Sequence, residues 1–242
     1  MKKEIEDKVK DIIDNKFETE DCYIVPDIDD KRLTFDNKGL KFDATTLFID
    51  LRDSTKILNT HHRTSVSKLH KAYFHTIVKI AKDMNGEVRS FNGDGMLVFF
   101  QGNTKDSLSN AVKAAMKMKY MLTETKVKDK LEKYSGLNFG IGIDHGNILC
   151  SKVGIAGTNN RDLVWIGNPV NKSVKIGDNQ EAPYHIGISA HVYENLTDEV
   201  KYHKYKDQLG YDRTDNMWTQ SNMIYNEVNQ TYYYTSYYWG VA

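Results

Sequence analysis

The sequence predicts an α+β sandwich in which helices pack on a mainly antiparallel sheet. Strand-like runs alternate with segments of helical periodicity, and tight-turn signals join several of the strands. With 242 residues, the chain can bury a sizeable core, either as one large domain or as two small ones. The pattern therefore predicts strands that are linked partly by hairpins and partly by helices.

The segment from residue 44 to residue 100 predicts a strand, a long helix and a hairpin. Residues 44–50 (ATTLFID) form an apolar, β-branched and aromatic run that stops at Asp50. Apolar residues then recur at helical spacing, and we expect one continuous helix over residues 54–84. The strand would deliver Asp50 to its own carboxyl end, just before the helix begins.

A second carboxylate lies in the turn of the hairpin predicted over residues 87–100. Asn92-Gly93-Asp94-Gly95 separates two strand-like runs and is typical of a tight turn. If these strands pair beside the first one, Asp94 and Asp50 share one rim of the sheet. Their like charges would repel unless protonated or bridged by a cation, and hard divalent ions such as Mg²⁺ take carboxylate oxygens together with substrate phosphates. Alternatively, each aspartate is only a turn or cap residue.

The two ends of the chain predict extensions of a central domain. Residues 1–36 comprise an amphipathic helix to about Phe17 and a lead-in loop, and we place the domain itself at 37–200. Residues 201–242 hold nine of the 15 tyrosines, and alternating Tyr and Thr there favours a closing strand packed on the domain. The same aromatic residues could instead stack bases of single-stranded nucleic acid, although such binding relies on a basic groove.

Between these ends, periodicity and turn residues predict three further features. Apolar spacing predicts a helix from Thr104 to about Leu131. Residues 137–151 predict two strands joined by a turn at residues 144–147. A Gly/Asn-rich loop and a short strand follow, and Asn168-Pro169 then favours the start of a helix. Proline has no backbone N–H group, and the first turn of a helix does not need that donor.

Composition excludes several functional classes. The chain has 33 Lys+Arg and 33 Asp+Glu residues, so no global field favours nucleic acid or an anionic membrane. No stretch approaches the roughly 20 apolar residues of a membrane span, and the polar start is unlike a signal peptide. Cys22 and Cys150 suit a reducing compartment. We therefore expect a cytoplasmic protein with no nucleic-acid partner and no membrane span.

Four ordered segments resemble the catalytic domain of class III nucleotidyl cyclases. They cover about residues 40–200 and read FIDLRDSTKIL, GEVRSFNGDGMLVFF, FGIGIDHGNILCSKVGIAGTNNRDLVWIGNPVNKSVKI and GISAHVYENL. Within that family the chain looks most like small bacterial cyclases that make the cyclic pyrimidine nucleotides cCMP or cUMP in anti-phage defence. The resemblance implies the ferredoxin-like sandwich of class III cyclases.

The resemblance also implies a site with two metal ions. Asp50 and Asp94 match the aspartates that hold a pair of Mg²⁺ or Mn²⁺ ions, and Leu51 belongs to the same metal site. Backbone donors at the start of the following helix suit a triphosphate. The substrate-binding residues implied there are Arg52, Asp53, Ser54 and Thr55.

A helix later in the chain matches the family's catalytic positions. Asn171 matches the asparagine that orients the ribose, and Lys175, one helical turn later, stands where most members carry arginine. Lysine remains cationic but lacks the bidentate fork of arginine. Without such roles, Asn171 would be a cap residue and Lys175 part of a solvated helix face.

Two positions disfavour a purine substrate. Ser90 stands where many adenylate cyclases carry a base-reading lysine, and Val164 stands at the partner position, which is commonly Asp or Thr. A site that reads a base by hydrogen bonds needs these donors and acceptors. By this alignment the base pocket is lined by Ser90, Asn92, Val164 and Ile166. Asn92 could form hydrogen bonds with the edge of a pyrimidine. Arg89 points away from Ser90 on an ideal strand, unless the register shifts there.

The resemblance implies a head-to-tail homodimer with two shared active sites, because in this family the metal aspartates and the Asn/Lys helix come from different subunits. The expected reaction converts a nucleoside triphosphate, CTP or UTP, to its 3′,5′-cyclic monophosphate and pyrophosphate. The product would be read by a separate cyclic-nucleotide effector. Alternatives are an adenylate or guanylate cyclase in ordinary signalling, a non-catalytic nucleotide-binding module, or a dinucleotide cyclase, although the GGDEF signature of diguanylate cyclases is absent.

Overall fold

The computed structural model describes residues 1–133 and 137–241. The elements in chain order are α1 (Lys2–Asp14), β1 (Glu18–Asp21), β2 (Lys38–Leu51), α2 (Ser54–Thr60), α3 (Arg63–Asp83), β3 (Glu87–Asn92), β4 (Gly95–Gln101), α4 (Lys105–Thr123), α5 (Lys126–Leu131), β5 (Phe139–Gly154), β6 (Arg161–Ile166), α6 (Asn168–Asp178), β7 (Ile186–Ser189), α7 (Ala190–Glu194), α8 (Asp198–Lys201), β8 (Tyr202–Lys206), β9 (Asp212–Asn216), β10 (Thr219–Tyr225) and β11 (Val228–Thr235).

The described strands build one large sheet around two long strands, β2 and β5. The order across the sheet is β10-β11-β7-β5-β2-β4-β3, with β1 added to β2 and β6 added to β5. β2 and β5 pair antiparallel from Gly39 opposite Ser151 to Leu51 opposite Phe139. Only the pairs β1–β2 and β5–β7 are parallel among the strands of this sheet. The α+β prediction with a mainly antiparallel sheet is therefore confirmed.

Helices α3 and α4 cover one face of this sheet and form the main core with it. On β2 and β5, alternate residues point to this face, as the period of two in a strand requires. The fully buried residues of this core include Leu47, Ile49, Ile141, Ile143, Tyr73, Ile77, Val112 and Met116. The opposite face carries a smaller core beneath the lead-in segment, built from residues such as Val25, Leu33, Phe42, Phe99 and Ile148.

Two predicted helices are each interrupted in the structure. The helix expected over 54–84 is α2 followed by α3, because His61 and His62 adopt extended backbone conformations between them. The helix expected over 104–131 is likewise α4 followed by α5. The second break has a capping residue, since the Thr125 hydroxyl accepts a hydrogen bond from the Val127 N–H at 3.2 Å.

The turn predicted at residues 144–147 is wrong. These residues lie inside the single 16-residue strand β5, where Asp144 pairs with Thr46 and Asn147 with Asp43. Backbone pairing with β2 continues through them without a register shift. Asp, Gly and Asn favour turns, but here the partner strand supplies a ladder along the whole segment, and tertiary pairing overrides that preference.

The two ends of the chain differ in how they pack. The apolar stripe of α1 remains exposed, and the helix is held by the Asn37 side-chain amide, which donates to the carbonyl oxygens of Ile12 and Asn15. At the other end, β10 and β11 extend the sheet beside β7, and β11 is the strand that alternating Tyr and Thr predict. Within the described residues, no helix combines the length and apolar character needed to cross a membrane.

Helix α6 lies against β5 at unusually close range, because three glycines meet there. A Cβ atom at Gly142 would overlap the carbonyl oxygen of Ser173 and the backbone nitrogen of Gly177. A Cβ atom at Gly140 would overlap the Gly177 carbonyl oxygen in the same way. Backbone contacts at these glycines thus set how closely α6 approaches β5.

Replacing Gly142 by alanine should separate α6 from β5. We expect the free energy of unfolding in urea to fall by about 1–3 kcal/mol, the range for overpacking in a tight core. Gly240→Ala is the matched control, because a Cβ atom there meets nothing within 4 Å, and it should change stability by less than about 0.5 kcal/mol. Equal stability of the two variants would contradict the close packing.

Candidate active site

Strand pairing brings Asp50 and Asp94 together at one end of the sheet. Asp50 is the penultimate residue of β2, and Asp94 lies in the turn between β3 and β4. Ile49 pairs with Met96, so one residue further along Asp50 comes beside Gly95. A Cβ atom at Gly95 would lie 3.0 Å from the Asp50 Oδ1 atom. The glycine after Asp94 therefore leaves room for the Asp50 carboxylate.

The charge of Asp94 acts on the nearby Asp50 carboxyl group. The pKa of Asp50 is raised from 3.8 to about 6, first by burial and then by the charge of Asp94. The cationic Arg52 opposes this shift, whereas Asp178 adds to it. A partly buried aspartate beside another carboxylate is costly to ionise without a neutralising partner.

Two buried polar atoms at this place have no hydrogen-bond partner among the described residues. They are the Asp94 Oδ2 atom and the Tyr73 hydroxyl group. Tyr73 is fully buried on α3, and its pKa is raised by burial and then by the charges of Asp50 and Asp94. Buried polar atoms normally have partners, so an unpaired carboxylate oxygen here is open to a ligand.

These residues fit a hard divalent cation that is completed by its substrate. Among the residues that the structure describes, no group of three or more His, Cys, Asp or Glu side chains is placed to hold a metal. A site with two carboxylates matches Mg²⁺, which usually takes one or two carboxylates plus substrate phosphates. Leu51 has its side chain in the core, so only its backbone is available to such a site.

The start of α2 lies directly after these carboxylates. Asp53 has a left-handed backbone with φ of 59°, and the helix begins at Ser54 without a side-chain cap. The first N–H groups of a helix, here those of Ser54 and Thr55, have no partner within the helix and suit an anion. Arg52 differs, because its N–H donates to the Asn138 carbonyl oxygen at 2.9 Å and its guanidinium group binds the end of α6.

The first half of the expected base pocket lies on β3, close to the carboxylates. Ser90 pairs with Leu97, and Asn92 pairs with Gly95. The register shifts between Val88 and Ser90, at Arg89. The Arg89 guanidinium donates to the carbonyl oxygens of Pro26 at 2.7 Å and Val25 at 3.1 Å, so it holds the lead-in segment in this structure.

The second half of the expected base pocket lies elsewhere in the same chain. Val164 and Ile166 on β6 pair with Ser151 and Leu149, whereas Asp50 pairs with Gly140. From Gly140 to Ser151 is eleven residues along β5, or roughly 35 Å of extended strand. One chain therefore does not bring Val164 and Ile166 to the carboxylates.

Asn171 and Lys175 lie on the outward face of α6. Both side chains are exposed, whereas Val170, Ser173, Ile176 and Gly177 face the sheet. One further residue at the site, Tyr73, was absent from the candidate site residues taken from the sequence, because its helical spacing predicts a core residue. Arg52 was among those candidates as a triphosphate-binding residue, but its contacts with α6 have no local sequence signal.

Comparison with known proteins identifies the family. The sequence-family model for the adenylate and guanylate cyclase catalytic domain matches residues 39–217 of this chain. The solved structure of the guanylyl cyclase Cya2 has the same fold, with a TM-score of 0.66 at 20% identity over 82% of this chain and 93% of that one. The chain belongs to the family of adenylate and guanylate cyclase catalytic domains, and it is a class III nucleotide cyclase.

Its relatives within the family include cyclases named for pyrimidine products. A uridylate cyclase from Xanthomonas perforans is 30% identical over 205 residues, which are 83% of this chain and 86% of that protein. A cytidylate cyclase from Staphylococcus aureus is 31% identical over 121 residues, which are 47% of this chain and 29% of that protein.

Asp50→Asn should stabilise the metal-free protein. Because the pKa of Asp50 is raised in the fold, the folded state holds this proton more tightly than the unfolded chain. The contribution of Asp50 to stability therefore falls as pH rises from about 4 to about 6, and asparagine removes the unfavourable charge above that range. At pH 7.5 in EDTA we expect a melting temperature roughly 2–4 °C higher than wild type, with a smaller gain at pH 5.

The matched control for this measurement is Asp21→Asn, an exposed aspartate at the end of β1. It should leave the melting temperature unchanged at both pH values. A melting temperature of the Asp50→Asn protein below that of wild type at pH 7.5 would contradict the electrostatic account.

Proposed function

We propose that this cyclase acts as a head-to-tail homodimer that converts a pyrimidine nucleoside triphosphate to its 3′,5′-cyclic monophosphate and pyrophosphate. The main support for a dimer is the separation of roughly 35 Å along β5 between the residue that pairs with Asp50 and the residue that pairs with Val164. A second copy turned head to tail would place β6 and α6 of one protomer over the carboxylates of the other. A closed dimer of this kind contains two equivalent sites.

In the proposed site, Asp50 and Asp94 hold two Mg²⁺ or Mn²⁺ ions, with the Leu51 backbone beside them. When bound, such ions lower the pKa of the attacking hydroxyl and neutralise charge on the leaving phosphates. The unpaired Asp94 Oδ2 atom and the raised pKa of Asp50 support this assignment, because a divalent cation would relieve both.

The chain's own residues would position the triphosphate for an internal displacement. The ribose 3′-hydroxyl group gives its proton to water, its oxygen bonds to the α-phosphorus, and the bond from that phosphorus to pyrophosphate breaks. The N–H groups of Ser54 and Thr55 would bind phosphate oxygens next to Asp53, and the partner protomer would contribute the two α6 residues. Asn171 orients the ribose, and Lys175 stabilises the negative charge that develops on the phosphoryl group.

The base pocket favours a pyrimidine because it lacks the purine-reading pair. Ser90 and Asn92 from one protomer would meet Val164 and Ile166 from the other. An Asn amide carries both a donor and an acceptor and can pair with the edge of uracil or cytosine. The similarity to the uridylate cyclase from Xanthomonas perforans supports UTP as the first candidate substrate. The similarity to the cytidylate cyclase from Staphylococcus aureus supports CTP as the second candidate.

We further propose that the reaction takes place in the cytoplasm and that its product is a second messenger in bacterial anti-phage defence. A separate cyclic-nucleotide effector would read the product. This biological role rests on the sequence resemblance alone, because the names of the relatives describe only their chemistry.

The substrate assay tests the proposed chemistry directly. The purified protein is incubated with Mn²⁺ and each of UTP, CTP, ATP and GTP in turn, and the products are identified by mass. We expect cUMP or cCMP with pyrophosphate, and loss of all turnover in Asp94→Asn. Turnover of ATP or GTP alone would contradict the pyrimidine assignment, and an active Asp94→Asn protein would contradict the metal assignment.

Mixing two inactive variants tests the shared site. Asp50→Asn removes a proposed metal ligand. Asn171→Ala removes the proposed ribose contact, which the other protomer contributes to the same site. In a mixed dimer one site carries both defects and the other carries neither. After co-refolding we expect about a quarter of wild-type specific activity, since half of the dimers are mixed and each has one intact site of two. Absence of any recovery would contradict a site built from two chains.

A further inference from the structure

We infer that Arg52 positions α6, and through it Asn171 and Lys175, for the active site of the neighbouring protomer. The inference rests on the proposed shared site and gives Arg52 a role different from binding triphosphate. Arg52 follows Asp50 by two residues, whereas α6 of the same chain would serve the other site. Arg52 would therefore connect the two active sites of the dimer.

The contacts of Arg52 are directed at the end of α6. The Nε atom donates to the Gln180 carbonyl oxygen at 3.2 Å, and the Nη2 atom donates to the Gly177 carbonyl oxygen. The Nη1 atom lies 3.6 Å from the Asp178 Oδ1 atom. The backbone N–H of Arg52 is bonded to Asn138. The guanidinium nitrogens and the backbone donor are thus used within the fold.

These contacts act at the C-terminal end of α6, where the Gly177 carbonyl oxygen also accepts a hydrogen bond from the Gln180 N–H at 2.9 Å. The last carbonyl groups of a helix have no partner within it, and a cation near them is favourable. The planar guanidinium group can bind two carbonyl oxygens at once, which restrains both the position and the rotation of the helix end. Gly177 is also the residue that packs against Gly142.

A displacement of this helix end would reach the proposed catalytic residues. Lys175 lies two residues before Gly177, and Asn171 lies one turn earlier on the same exposed face. Small errors in the placement of such groups reduce rates strongly. The defect would appear in the site that α6 serves, not in the site beside Arg52.

Mixed dimers with a single intact site separate the two roles. Protomer X carries Asp50→Asn, and protomer Y carries Asn171→Ala, each with its own affinity tag. The intact site then takes Asp50 and Asp94 from Y and α6 from X. Arg52→Met is added to X or to Y, and kcat and KM for the triphosphate are measured on doubly purified dimers.

We expect Arg52→Met on X to lower kcat on the order of 10-fold or more with little change in KM, and Arg52→Met on Y to change either constant by less than about 2-fold. Arg52→Lys on X should recover part of the activity, because an ammonium group can still donate to the two carbonyl oxygens. If Arg52→Met lowers the melting temperature of the protein, the comparison between substitution on X and substitution on Y is made with Arg52→Lys instead.

Loss of activity only on Y, with a raised KM, would show a triphosphate ligand and overturn the inference. Equal loss on X and on Y would also overturn it. If mixed dimers without any Arg52 substitution are inactive, the shared site itself fails, and the inference fails with it.

Discussion

Two carboxylates of like charge, forced together at one end of a sheet, are the constraint on which this structure depends. Backbone pairing of β2 with β4 places Asp50 beside Gly95, and the tight turn places Asp94 next to it. The fold holds this arrangement although burial and repulsion raise the pKa of Asp50 to about 6. A divalent cation between the two carboxylates would offset this cost, so in the proposed site the same interaction lowers the stability of the metal-free protein and favours metal binding.

The length of the β2–β5 ribbon is the reason why we propose a site shared by two chains. One end of the ribbon carries the Asp50 carboxylate and leads to the start of α2, and the other end carries β6. Helix α6 lies over the ribbon with Asn171 and Lys175 facing outward. Within this chain the paired ribbon keeps its two ends roughly 35 Å apart. In the proposed dimer, a second copy in the opposite direction would bring them together without deforming either sheet.

Much of the fold and the juxtaposition of Asp50 and Asp94 could be predicted from the sequence, because the signals are local. The apolar run ending at Asp50 and the NGDG turn define strand ends, and their juxtaposition follows from hairpin pairing. The turn predicted at residues 144–147 failed because the ladder with β2 outweighs the preference of Asp, Gly and Asn. Of the two helix breaks, the one before α5 has a local signal, because the Thr125 hydroxyl caps that helix, whereas the one before α3 has no side-chain cap. The links from Arg52 to Gly177 and Gln180 span more than 120 residues and leave no local pattern.

The most direct test of the central claim is a crystal structure with Mn²⁺ and a non-hydrolysable UTP analogue, with anomalous scattering recorded for manganese. The account predicts anomalous peaks between Asp50 and Asp94 of one protomer, with Asn171 of the other protomer at the ribose. Manganese peaks elsewhere, or a nucleotide bound entirely within one chain, would contradict it.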